Sequence, residues 1–357
     1  MSLSSLGWQA RLEELFTPFR ARGLEPARVC REDRDRYQVR GDGDVRPAEL
    51  AGRLRHEARS RAELPAVGDW VAVRPGGASP AVIEAVLPRS SAFTRKVVDA
   101  VSEAQVVAAN VDTVFLVSGL DHDFNLRRIE RYLAAAWESG ATPVLVLNKA
   151  DLAADLEAIV AEVEALSPGT PVVALSALGG DGLEALAPWL EPGRTVALLG
   201  SSGVGKSTLV NALLGEARQQ TQEVREDDSR GRHTTTHREL VPLPSGAVLL
   251  DTPGMRVLKL WTSEEAVDGT FPEIASLAER CRFRDCSHES EPGCAVLAAL
   301  ESGALTEERL ESWRKLQRER RWLETRVDAR ARAAEEAKWK AIHKSMKHHP
   351  KADRWKK

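Results

Sequence analysis

Cysteine is scarce in this chain, with four in 357 residues, too few for a disulfide scaffold. Long apolar runs are missing too. The richest stretch, 106–120, is broken by Asn110 and Asp112, so nothing approaches the roughly eighteen apolar residues of a transmembrane helix. Residues 1–20 lack an uninterrupted apolar core with a small-residue cleavage site, which argues against a secretory leader. A cytoplasmic chain with no membrane partner is expected. No internal repeat is visible. A strong charge of either sign is absent, the net value being −3, so bulk composition does not announce a nucleic-acid binder. The average hides an asymmetry: residues 338–357 hold Lys338, Lys340, Lys344, Lys347, Lys351, Arg354, Lys356 and Lys357 against the single acid Asp353. The length suffices for two or three domains, each with its own core.

What is present centres on residues 200–208, Gly-Ser-Ser-Gly-Val-Gly-Lys-Ser-Thr, directly after the apolar run 195–199. Gly200, Gly205, Lys206 and Ser207 fit the phosphate-loop pattern. Polyanionic phosphates need backbone N–H donors wrapped closely around them, which glycine permits. Within Gly200, Ser201, Ser202, Gly203, Val204, Gly205, Lys206, Ser207 and Thr208, Lys206 is expected to reach the β/γ-phosphates and Ser207 to ligate Mg²⁺. The helix expected over 206–214 directs its N-terminal dipole at the phosphates.

Around this loop the chain changes texture twice. Residues 1–26 suggest an amphipathic N-terminal helix through Leu12, Leu15, Phe16 and Phe19. Residues 27–96 carry short apolar segments at 27–30, 37–39, 70–73 and 82–86, separated by Gly- and Asp-containing turns. Such spacing predicts a small β-barrel, an OB-fold among the options. Arg53, Arg55, Arg59 and Arg61 could line an RNA-binding face; interspersed with Glu49, Glu57 and Glu63, they suit a solvated surface equally well. From 97 to 260, buried-strand runs at 113–117, 144–147, 172–175, 196–199 and 248–250 alternate with helical stretches at 126–139, 152–166, 183–190 and 206–214. The alternation predicts a doubly wound, mostly parallel α/β sheet with ligands at the strands' carboxyl ends.

Two motifs at such ends select the base. Asn148-Lys149-Ala150-Asp151 follows 144–147, and Ser176-Ala177 follows 172–175. A carboxylate such as Asp151 accepts from guanine N1–H and the exocyclic amine. Adenine offers neither there, and an unpaired acceptor is penalised. The Lys149 stem can cover the base, Asn148 supplies amide groups, and the Ala177 N–H is placed for O6. GTP and GDP are therefore the expected ligands.

Downstream, Asp251-Thr252-Pro253-Gly254 follows 248–250. Asp251 is expected at Mg²⁺ and the Gly254 N–H at the γ-phosphate. The polar stretch 216–238 includes Gly231-Arg232-His233-Thr234-Thr235-Thr236; Thr235, with Thr234 close behind, is the expected Mg²⁺-closing switch residue. Residue 255 is Met, where a Ras-like enzyme has the glutamine that orients the attacking water. His233 is the candidate to replace it; a loop histidine that meets a partner or solvent is the alternative.

The motif order is unusual. Base recognition precedes the phosphate loop, and both switches follow it, so the same sheet requires a circular permutation. The second switch then leads straight into Cys281-x4-Cys286-x-His288-x5-Cys294, a donor set suited to one structural zinc ion; buried thiols beside a surface histidine are the alternative.

Together these features resemble the RsgA (YjeQ) family of bacterial, ribosome small-subunit-dependent GTPases. The resemblance rests on the permuted order, G-S-S-G-V-G-K-S-T, G-R-H-T-T-T, D-T-P-G and the Cys/His knuckle, and it spans nearly the whole chain. It implies an OB-fold at 27–96, a permuted GTPase domain at 97–260 and a zinc-binding helical domain at 261–305. It also implies a role in late 30S maturation, with 16S rRNA contact and subunit-stimulated GTP hydrolysis. Residues 306–357 are expected as a helix followed by a basic arm, in which Trp339 and Trp355 among lysines suit base stacking; a solvated tail is the alternative. A monomer is expected. A second functional reading is a GTP-gated RNA-binding module whose hydrolysis is incidental.

Overall fold

The computed structural model describes residues 2–33, 36–75, 80–96, 104–216, 238–251 and 263–321. In the N-terminal part, α1 (Ala10–Arg20) precedes β1 (Glu25–Asp33), β2 (Arg36–Arg40) and β3 (Val45–Leu50), followed by α2 (Gly52–Glu57), β4 (Trp70–Arg74) and β5 (Ala81–Val86). The strands pair in the order β1-β2-β3-β5-β4, and β4 returns to β1, closing a five-stranded barrel of OB type. Alternating side chains fill it: Val29, Tyr37, Val39, Val71, Val73 and Ile83 form its core. The strand β3 was not anticipated, because Val-Arg-Pro-Ala-Glu-Leu alternates weakly around Pro47. Outside the barrel, Phe16 of α1 and Trp8 stack edge-on and cover Trp70.

The hairpin β6 (Ala92–Lys96) and β7 (Ala104–Ala109) leads to β8 (Thr113–Gly119), α3 (Leu126–Ser139), β9 (Thr142–Asn148), α4 (Leu156–Leu166) and β10 (Val172–Ala174). Then come β11 (Thr195–Leu199), α5 (Lys206–Leu214), β12 (Arg238–Pro242) and β13 (Val248–Asp251). The sheet order is β10-β9-β8-β11-β13-β12. All neighbours are parallel except β12, which runs antiparallel to β13. Helices cover both faces, as doubly wound packing requires. Ile129 and Leu133 of α3 with Val163 of α4 pack on one face, and Leu209 and Val210 of α5 on the other. Each such side chain contributes about 1.5–3 kcal/mol on burial. Asn125 caps α3, its side chain accepting from the Arg128 N–H, and Gly140 ends the helix in a left-handed turn.

Barrel and parallel sheet are continuous. The end of β1 pairs with β12, Arg31 opposite Glu239 and Glu32 opposite Arg238. Beyond the sheet, α6 (Glu264–Thr270), α7 (Pro272–Ala278), α8 (Ala295–Glu301) and α9 (residues 307–321) form a helical unit around Val267, Phe271, Ile274, Val296 and Leu310. Ala134 of α3 belongs to the same cluster, so this unit packs directly on α3.

Candidate nucleotide site and metal knuckle

The sequence motifs converge where β8, β9, β10 and β11 end. Asn148 closes β9, and its side chain is almost fully buried, 2% exposed. Its Nδ2 donates to the Val204 carbonyl at 2.8 Å, and its Oδ1 accepts from the Ala177 N–H at 2.9 Å. One amide therefore joins three motifs. The Ala177 N–H, expected to face guanine O6, is thus already engaged by Asn148. Lys149 adopts a left-handed backbone, φ 62, a conformation that costs free energy and clusters at functional sites. Its Nζ donates to the Gly203 carbonyl at 2.8 Å. Ala150 bonds back to β10 through Leu175 O at 3.1 Å. Asp151 is exposed, a carboxylate open to a ligand's donors.

Two glycines in the loop are dictated by this packing. A Cβ on Gly205 would lie 2.2 Å from Asn148 Nδ2, and one on Gly200 would lie 2.3 Å from the Val117 carbonyl. Neither contact is tolerable, so the pattern reflects close approach between motifs as much as room for phosphate. Lys206 begins α5 and donates to the Gly200 carbonyl at 2.7 Å and to the Ser201 carbonyl. Ser207 and Thr208 lie half-buried in the first turn of α5, while Ser202 and Gly203 are exposed. Ser176 forms a bridge with Asp181 that shapes the loop after β10. Asp251 ends β13, beside the phosphate-loop strand β11. His233, Thr235 and Gly254 lie outside the described residues.

Four residues escaped the motif reading. Asp121 pairs with Lys149 Nζ; burial opposes ionisation of its carboxyl, and the ammonium outweighs it, holding the group below its ordinary range. Asp123 pairs with Arg128, and both bond Ser201 Oγ, at 2.9 and 2.8 Å. The signal was Asp-His-Asp-Phe-Asn at a strand's carboxyl end, but no general spacing rule attaches to it. Leu178, immediately after Ala177, is 89% exposed.

The knuckle lies at the other side of α3. Cys281 follows α7, Cys286 and His288 sit in the loop, and Cys294 caps α8 with its thiol accepting from the Leu297 N–H. The four donor atoms lie within 4.8 Å of one another and could hold a metal ion. The separations are 3.6 Å for Cys281 Sγ to His288 Nδ1, 3.8 Å for Cys281 to Cys294 Sγ, and 3.3 Å for His288 Nδ1 to Cys294 Sγ. A tetrahedral ion with thiolate bonds of about 2.3 Å needs sulfur–sulfur edges of about 3.8 Å; the Cys281–Cys294 edge has that length, and the whole set lies within 4.8 Å. The Ala295 N–H points at Cys281 Sγ, 3.4 Å, and favours the thiolate. Arg314 of α9 donates to the His288 carbonyl at 2.5 Å, and Trp313 packs on the imidazole with centroids 5.3 Å apart.

A parallel sheet in which the base-reading motif precedes the phosphate loop defines a circularly permuted P-loop GTPase, preceded by a barrel and followed by a metal knuckle. The chain belongs to the RsgA GTPase family: the family model described as "RsgA GTPase" matches residues 86–261. The small ribosomal subunit biogenesis GTPase RsgA of Opitutus terrae is 54% identical, with 97% of each chain covered. YjeQ of Thermotoga maritima is similar in structure, with TM-score 0.63, 29% identity, and 83% of this chain and 98% of that one covered. YloQ, described as a circularly permuted GTPase, superposes with TM-score 0.61 at 22% identity, covering 84% and 95%, and supports the fold. No described helix is long and apolar enough to cross a membrane.

Proposed function

We propose that this chain hydrolyses GTP to GDP and phosphate and acts in biogenesis of the small ribosomal subunit, docking on the 30S particle and its 16S rRNA as a cytoplasmic monomer. The observation that carries the nucleotide reading is the double use of Asn148, with Nδ2 on Val204 O and Oδ1 on Ala177 N. A base-reading loop bonded to the phosphate loop fixes the distance between base and phosphates before ligand arrives, which is preorganisation.

In this reading Asp151 accepts from guanine N1–H and its amine, the Lys149 stem and Leu178 flank the ring, and Asn148, Ala150, Ser176 and Ala177 shape the pocket. O6 competes with Asn148 for the Ala177 N–H. The backbone of 200–205 and the side chains of Lys206, Ser207 and Thr208 hold the phosphates, with Lys206 leaving its two loop carbonyls for phosphate oxygens. Ser207, Thr235 and Asp251 hold Mg²⁺, which when bound neutralises charge building on the β- and γ-phosphate oxygens. Gly254 donates to the γ-phosphate, and His233 orients the attacking water in place of the glutamine that Met255 displaces.

The Cys281, Cys286, His288 and Cys294 site holds structural zinc. The chain divides into an N-terminal helix (1–26), a barrel (27–96), the GTPase domain (97–260), the zinc domain (261–305) and a C-terminal helix with a basic arm (306–357). The test is turnover with and without purified 30S subunits. Subunits are expected to stimulate hydrolysis, whereas equal turnover with subunits and with free RNA would refute the ribosomal target. Displacement of labelled GDP by ATP as readily as by GTP would refute the base assignment.

A further inference from the structure

The first turn of α3 touches the phosphate loop through a closed set of bonds. Ser201 Oγ donates to Asp123 Oδ2 at 2.9 Å and accepts from Arg128 Nη1 at 2.8 Å. Arg128 in turn forks onto both Asp123 oxygens, Nη2 to Oδ1 at 3.0 Å. Its backbone is fixed as well, since its N–H donates to Asn125 at the helix cap. Arg128 holds the Asp123 carboxyl below its ordinary range, so the set is charged at neutral pH. The Ser201 carbonyl is also one of those held by Lys206. The residue tethered to α3 therefore carries a group that the phosphate-loop lysine uses.

Another face of the same helix carries the C-terminal unit. Arg127, Glu130 and Arg131 share one side of α3 by helical spacing, and Arg128 is offset by about 100°. Glu130, with its side chain 4% exposed, pairs with Arg309 of α9 at 2.6 Å. Arg127 pairs with Glu311 at 3.4 Å and Arg131 with Glu319 at 2.8 Å. Arg309 also bonds Glu273 of α7 at 2.7 Å and the Leu166 carbonyl at 3.2 Å. A rigid helix thus has the phosphate loop on one face and α9 on the other within two turns.

We propose that Asp123 and Arg128 are positioning residues for the γ-phosphate end of the phosphate loop, and that α3 makes their setting depend on how α9 is docked. The proposal rests on the guanine-nucleotide reading above but not on hydrolysis. Anything that shifts α9, including a partner bound to the C-terminal unit, then reaches Ser201 without contacting nucleotide. Ser201 also offers its carbonyl to Lys206, the residue expected at the β/γ-phosphates, so GTP should feel the change more than GDP.

The experiment measures affinities of the full chain for GDP and for a non-hydrolysable GTP analogue, with Arg128→Ala, Arg128→Lys, Arg309→Met, and Arg128→Ala combined with Arg309→Met. Arg128→Ala should lower the ratio of analogue to GDP affinity about three- to tenfold, the scale on which small misplacements act, and Arg128→Lys should restore part of it. Arg309→Met should lower the ratio about threefold alone but less than about 1.5-fold beside Arg128→Ala, since coupled sites are non-additive. A residue that only stabilises the fold would lower the melting temperature and both affinities together, leaving the ratio unchanged. That result, or equal effects of Arg309→Met in both backgrounds, overturns the proposal. If Arg309→Met melts below the assay temperature, Glu311→Gln with Glu319→Gln loosens the same face through exposed groups and is read the same way. Failure of turnover in the unmodified chain would count against the hydrolase reading and leave this ratio measurable.

Discussion

The barrel and the C-terminal unit are each fastened to the α/β domain through an arginine, Arg28 buried and Arg309 half-buried, and the two fasteners differ in kind. Arg28 of β1 is 1% exposed, and its hydrogen-bond partners among the described residues are neutral: the carbonyls of Gly68 at 3.1 Å, Asn110 at 3.0 Å and Leu6, and Thr195 Oγ1 at 2.8 Å. Burial pulls its guanidinium down to about 10, which Asp112 and Asp69 nearby only partly offset. Arg309 of α9 instead meets two carboxylates, Glu130 and Glu273, and lies over Phe271 at 4.3 Å. Dipoles hold the barrel, and opposite charges hold the C-terminal unit. A neutral joint survives loss of its cation better than a charged one, because no bare charge is left behind.

Metal removal should separate the two sides most sharply. The Cys/His knuckle has a small core of its own, and with zinc bound as proposed, its binding free energy, about 10–16 kcal/mol in zinc-finger peptides, would be folding free energy there. Chelation should abolish hydrogen-exchange protection in α8 and α9, which touch the site through Cys294, Trp313 and Arg314. Protection in the barrel and in β8, β9 and β11 should persist. Protection lost everywhere at once would mean that the two sides are one cooperative unit.

Next in size is Arg309→Met. It strands the Glu130 carboxylate, and breaking a buried pair costs about 3–5 kcal/mol. Removing Glu130 as well, in Arg309→Met with Glu130→Met, should return most of that stability in urea unfolding. Arg28→Met should cost less, about 1–3 kcal/mol for carbonyls left without a donor. The loss is offset because the buried charge goes too, and because the Gly68 carbonyl keeps the Asn110 Nδ2 donor at 3.1 Å. If Arg28→Met proves the more damaging, the distinction between dipolar and charged joints fails.

Neither arginine was legible in the sequence, and the reason is physical. Motifs that read a ligand have local spacing, so 200–208, 148–151 and 281–294 declared themselves, and the long periodic segments did too. Helices 126–139 and 206–214 end where expected. Residues that fasten one unit to another have partners 82 or 179 positions away, and an arginine in a charged chain carries no mark of that. Short strands were also hidden. β12, Arg-Glu-Leu-Val-Pro, has too few apolar residues to stand out, yet it joins the barrel to the sheet.

That seam supplies the smallest effect. Arg238 and Glu32 face each other where β12 meets β1, 3.4 Å apart with side chains 16% and 18% exposed. Burial pulls the Arg238 guanidinium down, Glu32 supports it, and Arg95 opposes it. Glu32→Gln removes the carboxylate that supports Arg238 against Arg95, but the backbone pairing remains. The expected cost is about 1 kcal/mol, the upper end for exposed pairs, shrinking as salt screens the arginines. Urea titrations at low and high salt measure it. A loss as large as that of Arg309→Met would make the barrel joint electrostatic after all, and the contrast between the two sides would have to be redrawn around β12.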